Sequence, residues 1–440
     1  MKFNNLKETS HMYNEIKLFK NQPKSPFQGF GGIFFVLLFF ALNSYQVSAQ
    51  TLDAYLQKAA ENNPSLKSAY AQFEAAMQIA PQVSSLPDPA LTMSAFGQMV
   101  ETRLGAQEAR FSLMQMFPWF GTLQAKENAS VLMAEAKFQN YLNLRNQLFF
   151  NVKSVYAALY ELEKIIQLKK ENLTILDSYR ELSLSRFKSG NAPMVNVIKV
   201  DIKREAAKTE IKLLEDMMKP LETEFNLMLN QKPEMIVQVQ DTLMFRNPEI
   251  LLDPEDLFKN HPSVVGLGKQ KESYEIQQIV AQKEGLPMLG LGIDYSIISK
   301  RTDANPEMNG QDAIMPMLTV TLPIFRKKYN AAKKEAAFMV SSMEQEQQEQ
   351  KNELRSAYEM TLYNLKKAEQ LIALYEKQLV SSVQANKLLI SGFSNATIDF
   401  EEVLQMNQDI LMLQTQKVEA IKNGFTAEAK LDYLISKTEE

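Results

Sequence analysis

The chain has 440 residues, of which 45 % are hydrophobic and 23 % are charged, and its formal net charge is −4. This balance does not favour a nucleic-acid partner, which would need a basic face. The absence of cysteine excludes disulfides, thiolate metal ligands, cysteine nucleophiles and a lipid anchor on cysteine. Since the only histidines are His11 and His261, a zinc hydrolase is not expected, and we predict no enzymatic activity, cofactor or metal site.

The first 49 residues carry a targeting pattern. Three lysines precede an apolar run from Gly31 to Leu42, and the small residues Val47-Ser48-Ala49 follow. The run has about 12 residues, fewer than the roughly 20 of a membrane-spanning helix. We therefore predict a signal peptide at residues 1–49, with Gln50 as the mature N-terminus. A buried apolar helix is the alternative, and translation can start at Met1 or at Met12.

The rest of the chain is a tandem duplication. Four short motifs recur in the same order about 200 residues later. They are Asn62-Asn63-Pro64 and Asn260-His261-Pro262, Leu86-Pro87 and Leu286-Pro287, Phe117-Pro118-Trp119-Phe120 and Leu322-Pro323-Ile324-Phe325, and Phe187-x-x-Gly190 and Phe393-x-x-Ala396. We predict a first structural repeat at residues 50–245 and a second at 246–440, meeting near Asp241 to Leu251.

Each repeat begins with helix and continues with a pair of strands. The first helix is predicted from Thr51 to Ala80, with a break at Asn63-Pro64. Alternating apolar and polar residues then predict strands near 90–100, 109–118, 288–298 and 314–323, and only Phe96 interrupts the alternation of the first. Each segment has about 8 to 10 residues, close to the length of a transmembrane strand.

Long helices follow the strands. No proline or glycine occurs from Thr122 to Ser189, and Tyr358, Leu365, Ile372 and Leu379 recur every seven residues. A heptad stripe on a polar helix predicts coiled-coil packing. We predict helices at 121–189, 194–230, 326–392 and 398–436, and the longest of these would extend roughly 100 Å.

The strand count has a consequence for assembly. Four strands cannot close a membrane barrel, because the smallest outer-membrane barrels have about eight and open edges are not tolerated in lipid. Two chains would supply eight strands and three would supply twelve. Only the larger barrel leaves room for a pore.

The duplicated unit resembles the TolC-type outer-membrane efflux proteins. The resemblance covers about Thr51 to Ser436 and includes Arg186-Phe187-x-x-Gly190 before Val197-Ile198, and Pro118-Trp119-Phe120-Gly121 after a strand. It implies a homotrimer in which a twelve-stranded outer-membrane β-barrel continues into a periplasmic α-helical barrel. The second repeat departs from the motif by having Ala396 where the first has Gly190.

The function that the resemblance implies is a passive exit duct of a tripartite efflux pump. Its partners would be a periplasmic adaptor protein, an inner-membrane pump of the RND type and outer-membrane lipid. A duct for type I protein secretion is one alternative, and a soluble periplasmic coiled-coil adaptor is another. Met116-Phe117-Pro118-Trp119 resembles the channels of copper and silver exporters, but the methionines show no recurrent spacing and most methionines fill cores. The substrate stays open.

The resemblance also implies adaptor contacts at the hairpin tips. These residues are Arg186, Phe187, Lys188, Ser189, Gly190, Asn191, Phe393, Ser394, Asn395, Ala396 and Thr397. Gly190 alternatively supplies only a turn with positive φ. Asp399, Glu401 and Glu402 form a candidate acidic ring at the periplasmic entrance, or simply carboxylates that stabilise a helix N-terminus. His261 is interpreted as a turn residue.

Overall fold

The computed structural model describes residues 52–246, 257–395 and 397–436. The predicted signal peptide and its cleavage site lie outside these residues, as do Ala396 and residues 247–251 of the predicted junction between the repeats. In the part of the chain that is described, no helix is both long enough and apolar enough to cross a membrane. The fold is mostly helical, with one small antiparallel sheet.

The elements follow the same order in both halves. The first half contains α1 (Leu52–Asn62), α2 (Pro64–Met77), α3 (Ile79–Ser84), β1 (Ala90–Thr102), β2 (Gly105–Phe117), α4 (Thr122–Lys188) and α5 (Met194–Met228). The second half contains α6 (Pro262–Glu284), β3 (Leu289–Ile298), β4 (Ala313–Val320), α7 (Lys327–Ser394) and α8 (Phe400–Leu434). Since α4 has 67 residues and α7 has 68, each is about 100 Å long.

The two repeats start their helices in the same way. Asn63 is the N-cap of α2, and its side-chain oxygen accepts hydrogen bonds from the backbone N–H groups of Ser65 (2.9 Å) and Leu66 (3.2 Å). His261 is the N-cap of α6, and its Nδ1 accepts from the N–H of Ser263 at 3.3 Å. A proline occupies the next position in each repeat, where its missing N–H costs nothing.

The strands form one sheet in the order β1-β2-β3-β4, with antiparallel pairing throughout. One rung joins Leu91, Leu113, Ile293 and Pro316, and the next joins Thr92, Ser112, Asp294 and Met315. Because successive residues of a strand face opposite sides, these two rungs belong to opposite faces of the sheet. The face of the first rung is apolar and exposed, and we call it the outer face; the other is the inner face.

The first hairpin of the sheet differs from the predicted strands in two places. The pairing of β1 with β2 shifts between Ala95 and Val100, and this irregularity explains why Phe96 breaks the alternation. In addition, β2 begins before the predicted residue 109, because Thr102 pairs directly with Gly105 across a tight turn. Gly105 has φ of +138°, and a Cβ there would collide with the backbone oxygen of Ser299.

Three buried clusters hold the helices together. The first joins α1, α4 and α5 through Tyr55, Leu56, Tyr156, Leu159, Phe225 and Leu229. The second joins α7 and α8 through Tyr358, Leu365, Leu431 and Leu434, with Phe258 and Val264 packed beside them. The third lies near the far ends of both hairpins and contains Leu176, Tyr179, Val200, Phe393, Phe400, Val403 and Leu404. The third cluster therefore packs residues of the two hairpins against each other.

Candidate functional site

The first hairpin tip is a helix C-cap closed by a glycine. The backbone N–H of Gly190 donates to the carbonyl of Phe187 (3.0 Å), and that of Asn191 donates to the carbonyl of Arg186 (2.8 Å). This pair of bonds is the Schellman arrangement, which needs a left-handed residue just past the helix. Gly190 supplies it with φ of +76°, and no described atom lies within 4 Å of where its Cβ would be. The predicted turn role of Gly190 is confirmed.

The second tip closes in a related way. The N–H of Thr397 donates to the carbonyl of Gly392 at 3.0 Å, and its hydroxyl donates to the same carbonyl at 3.0 Å. A Cβ on Gly392 would meet Cδ1 of Ile398 at 2.5 Å. Gly392 therefore lets the chain after α7 fold back closely on the helix.

Arg186 joins the two tips. Its guanidinium donates hydrogen bonds to the carbonyl oxygens of Phe393 and of Ser394, the latter at 2.7 Å, and lies 4.9 Å from the ring centroid of Phe393. These carbonyls end α7, where the helix dipole is negative, so a cation is favourable there. The predicted docking residues Arg186, Phe393 and Ser394 thus meet within a single chain.

Phe393 differs from the other described tip residues because it is buried. Its ring is 4 % exposed and lies 4.8 Å from the ring of Phe400, which in turn makes an edge contact with Tyr179 at 6.1 Å. Asn386 donates to the Tyr179 hydroxyl at 3.3 Å, and burial raises the pKa of that phenol. Phe393 therefore supports the tips from within. The exposed predicted contacts are Phe187, Lys188, Ser189, Gly190, Asn191, Ser394, Asn395 and Thr397.

The predicted acidic residues lie at the start of α8. Asp399 is the N-cap, and Glu401 and Glu402 occupy the first turn, where carboxylates stabilise the helix dipole. All three side chains are exposed. Lys199 of α5 donates to Glu401, and its hydrogen bond and charge hold the pKa of this carboxyl below the usual value. One of the three acidic charges is therefore already paired within the same chain.

One exposed feature near the tip was not predicted from the sequence. Val195, Ile198 and Ile202 are about half exposed or more and share one face of α5, while Val197 and Val200 pack inward. The spacing of the exposed residues, three and four apart, is that of a single helix face. This spacing could have predicted an exposed apolar face. The buried apolar residues of the same helix, however, made the two faces hard to distinguish in the sequence.

The inner face of the sheet carries a charged pair. Asp294 of β3 is 1 % exposed and accepts a hydrogen bond from the guanidinium of Arg110 on β2. The register places Arg110 opposite Ser296, one position along the same face of β3 from Asp294. A polar inner face and an apolar outer face are the distribution expected of a sheet between lipid and an aqueous channel.

His261 is buried at the start of α6. Its ring is 1 % exposed, and Nδ1 lies 2.7 Å from the Ser263 hydroxyl oxygen. Burial lowers the pKa of His261 to about 4, and the charge of Lys430 adds to the shift, so the ring is neutral near pH 7. Among the described residues, no cluster of three or more histidine, aspartate or glutamate side chains could hold a metal ion. The predicted turn role of His261 agrees with its position as an N-cap.

Comparison with known proteins gives a fold but no close relative. No family model and no curated protein matches the chain. Among solved structures, the outer-membrane channel OprN matches with a TM-score of 0.72 at 16 % identity over 88 % of this chain and 90 % of its own. VceC, an outer membrane protein of Vibrio cholerae, gives 0.71 at 14 % identity over 88 % and 97 %. CusC, a transmembrane channel, gives 0.72 at 15 % identity over 88 % and 92 %. The chain has the fold of these outer-membrane proteins.

Proposed function

We infer that this chain is the outer-membrane exit duct of a tripartite efflux system and acts without catalysis. The observation that carries the proposal is the sheet, because its outer face exposes a continuous set of large apolar side chains. These residues are Leu91, Met93, Leu113, Leu291, Ile293, Tyr295, Ile314 and Leu318. A contiguous apolar surface of this kind needs a membrane or a partner to cover it. Strands of 8 to 13 residues are near the length that crosses a bilayer.

The two edges of the sheet support an assembly of several chains. Within the described residues, β1 pairs only with β2 and β4 pairs only with β3, so each keeps one unpaired side. Unpaired backbone groups in lipid cost several kcal/mol each, roughly, so β4 of one copy would pair with β1 of the next. Three copies give a twelve-stranded barrel wide enough for a pore, whereas eight strands leave an interior filled by side chains.

The helices extend the duct. α4 packs against α5, α6 and α8, and α7 packs against α6 and α8, so the two hairpins form one layer of helices. Three such layers would continue the barrel as a periplasmic tube about 100 Å long. The exposed tip residues and the stripe of Val195, Ile198 and Ile202 would then face a periplasmic adaptor bound to an RND-type pump. A type I secretion duct has the same requirements and remains the second candidate.

The assembly can be measured directly. We expect the protein extracted in detergent to have the mass of a trimer by native mass spectrometry or light scattering. Reconstituted in a planar bilayer, it should conduct ions through a continuous pore. A stable monomer in buffer without detergent would rule out the channel and favour a soluble adaptor.

A pair of neighbouring residues tests which face of the sheet contacts lipid. Met93 lies on the outer face and is 66 % exposed, while Thr92 lies on the inner face of the same strand. Met93→Arg should reduce the assembled protein in the outer membrane, because an arginine facing lipid costs about 2–4 kcal/mol near the midplane. Thr92→Arg should leave the level near that of the wild type.

The measurement is an immunoblot of the outer-membrane fraction for both variants. The variant with the lower outer-membrane level identifies the face that contacts lipid, because both variants introduce the same side chain at adjacent positions. If Thr92→Arg lowered the level more than Met93→Arg, the assignment of the faces would be reversed and the proposed barrel would be wrong.

A further inference from the structure

The step from strand to helix in the second repeat carries basic residues that the first repeat lacks. Five cations occur among the nine residues after Phe325, whereas the nine residues after Phe120 include one. The five are Arg326, Lys327, Lys328, Lys333 and Lys334. The one cation of the first repeat, Lys126, pairs with Glu284 at 2.6 Å. Since both repeats pass from strand to helix here, the extra cations are not needed for the fold.

Four of these cations form one exposed face at the start of α7. Arg326 and Lys333 are seven residues apart, as are Lys327 and Lys334, so all four lie on one side of the helix. All four are exposed, and none pairs with an acidic side chain of the described residues. The buried Ala336 lies on another side of α7, so packing against α6 leaves the four cations uncovered. We call these four residues the basic face.

The charge of the basic face is not compensated within the chain. The N-terminus of a helix carries a partial positive charge, which favours acidic residues in the first turn. α8 follows this rule with Glu401 and Glu402, but α7 has no acidic residue in its first turn. The only acidic residue among residues 326–340 is Glu335, which leaves an excess of cations. An anion bound from outside the chain would offset this excess.

Apolar residues next to the basic face indicate the kind of anion. Leu322, Ile324 and Phe325 connect β4 to α7 and are between 71 % and 79 % exposed. They follow directly on the outer face of β4, where Leu318 is 71 % and Val320 is 46 % exposed. An exposed apolar segment beside a cluster of cations matches an amphiphile that has acyl chains and a phosphate. A soluble anion would leave the apolar segment uncovered.

We propose that the basic face and the apolar residues 322–325 bind the headgroups of anionic phospholipids, of which phosphatidylglycerol is the simplest. The site lies in the leaflet next to the periplasmic helices, a placement that rests on the proposed function. Bound headgroups fix the depth at which the sheet sits in the bilayer. Each basic residue near an anionic membrane surface strengthens binding by about fivefold.

A natural fluorophore reports on lipid at this level. Trp119 is the only tryptophan of the sequence, and it lines one cleft together with Lys328 and Tyr329 of α7. The full-length channel is reconstituted in phosphatidylcholine vesicles that contain a small fraction of brominated phosphatidylglycerol or, in parallel, brominated phosphatidylcholine. Bromine quenches tryptophan fluorescence, so the two titrations give relative association constants. We expect phosphatidylglycerol to be preferred by at least about fivefold, the effect of one basic residue, and salt should weaken the preference.

Neutralising the basic face should abolish this preference. In the variant Arg326→Gln/Lys327→Gln/Lys333→Gln/Lys334→Gln, the two brominated lipids should quench Trp119 equally. Glutamine has a helix propensity close to those of arginine and lysine, so α7 should still form.

The matched control removes four exposed lysines from the same helix, at least roughly 50 Å from the basic face. It is the variant Lys366→Gln/Lys367→Gln/Lys377→Gln/Lys387→Gln. This control should keep the preference of the wild type, because the distance far exceeds the screening length in salt.

The outcomes separate the headgroup site from the duct. Equal quenching of the wild type by both lipids, an unchanged preference in the basic-face variant, or an equal loss in the control would overturn the site alone. Quenching by phosphatidylglycerol without quenching by phosphatidylcholine would show binding at the membrane surface without insertion, and would overturn the duct alone. No quenching by either lipid would overturn both proposals.

Discussion

Gly190→Glu should leave the channel assembled in the outer membrane and abolish export. Gly190 has φ of +76° and open space around it, so a side chain there adds about 1 kcal/mol of backbone strain and meets no described atom. That cost is small for a chain held by three buried clusters and by the proposed barrel. A charged side chain at the end of the tip would nevertheless obstruct close approach by an adaptor.

Two readouts are needed for this variant. The outer-membrane level and the trimer mass report on assembly, and the sensitivity of cells to the substrates of the cognate pump reports on export. Gly190→Ala is the matched control, because it carries the same strain without the charge or the bulk and should export normally. Ala396→Glu makes the corresponding change in the second repeat. Full export by both glutamate variants would show that neither turn is a contact, and loss from the membrane would show that the residue is structural.

Removing Arg110 should damage the channel more than neutralising its partner does. The Asp294 side chain is 2 % exposed, whereas that of Arg110 is 43 % exposed. Arg110→Met leaves a buried carboxylate without its cation, a change that typically costs about 3–5 kcal/mol. Asp294→Asn leaves a guanidinium that can reach water, so its cost is expected to be smaller.

The temperature at which the proposed trimer dissociates in detergent measures this difference between the two variants. The double variant Arg110→Met/Asp294→Leu should recover most of the loss, because an apolar pair of similar volume often replaces a buried ion pair without cost. Equal destabilisation by Arg110→Met and Asp294→Asn would contradict the inference that burial of the carboxylate controls the effect.

The sequence predicted those parts of the fold that depend on local pattern. A long stretch without proline or glycine and a heptad stripe were enough to predict α4 and α7, since helix formation depends on near neighbours. Alternation predicted the paired strands but could not show the irregularity between Ala95 and Val100. A bulge changes which face a residue takes without changing the composition of the strand.

The geometry of the candidate sites depends on contacts between distant residues. Arg186 meets the carbonyl of Phe393, which is 207 residues away along the chain, and no local pattern signals that pairing. Phe393 stands in the same motif as exposed residues, so its burial could be seen only once the two hairpins had been placed side by side.

Arg186 also has a mechanical consequence. The two hairpins are connected through the sheet at one end and through the Arg186 guanidinium at the other. Their relative movement is therefore restricted at both ends. A force applied to the first tip is shared with the second through hydrogen bonds to the end of α7. A single adaptor contact would therefore load both hairpins, and Arg186 shares this coupling with the third buried cluster and with the Lys199–Glu401 pair.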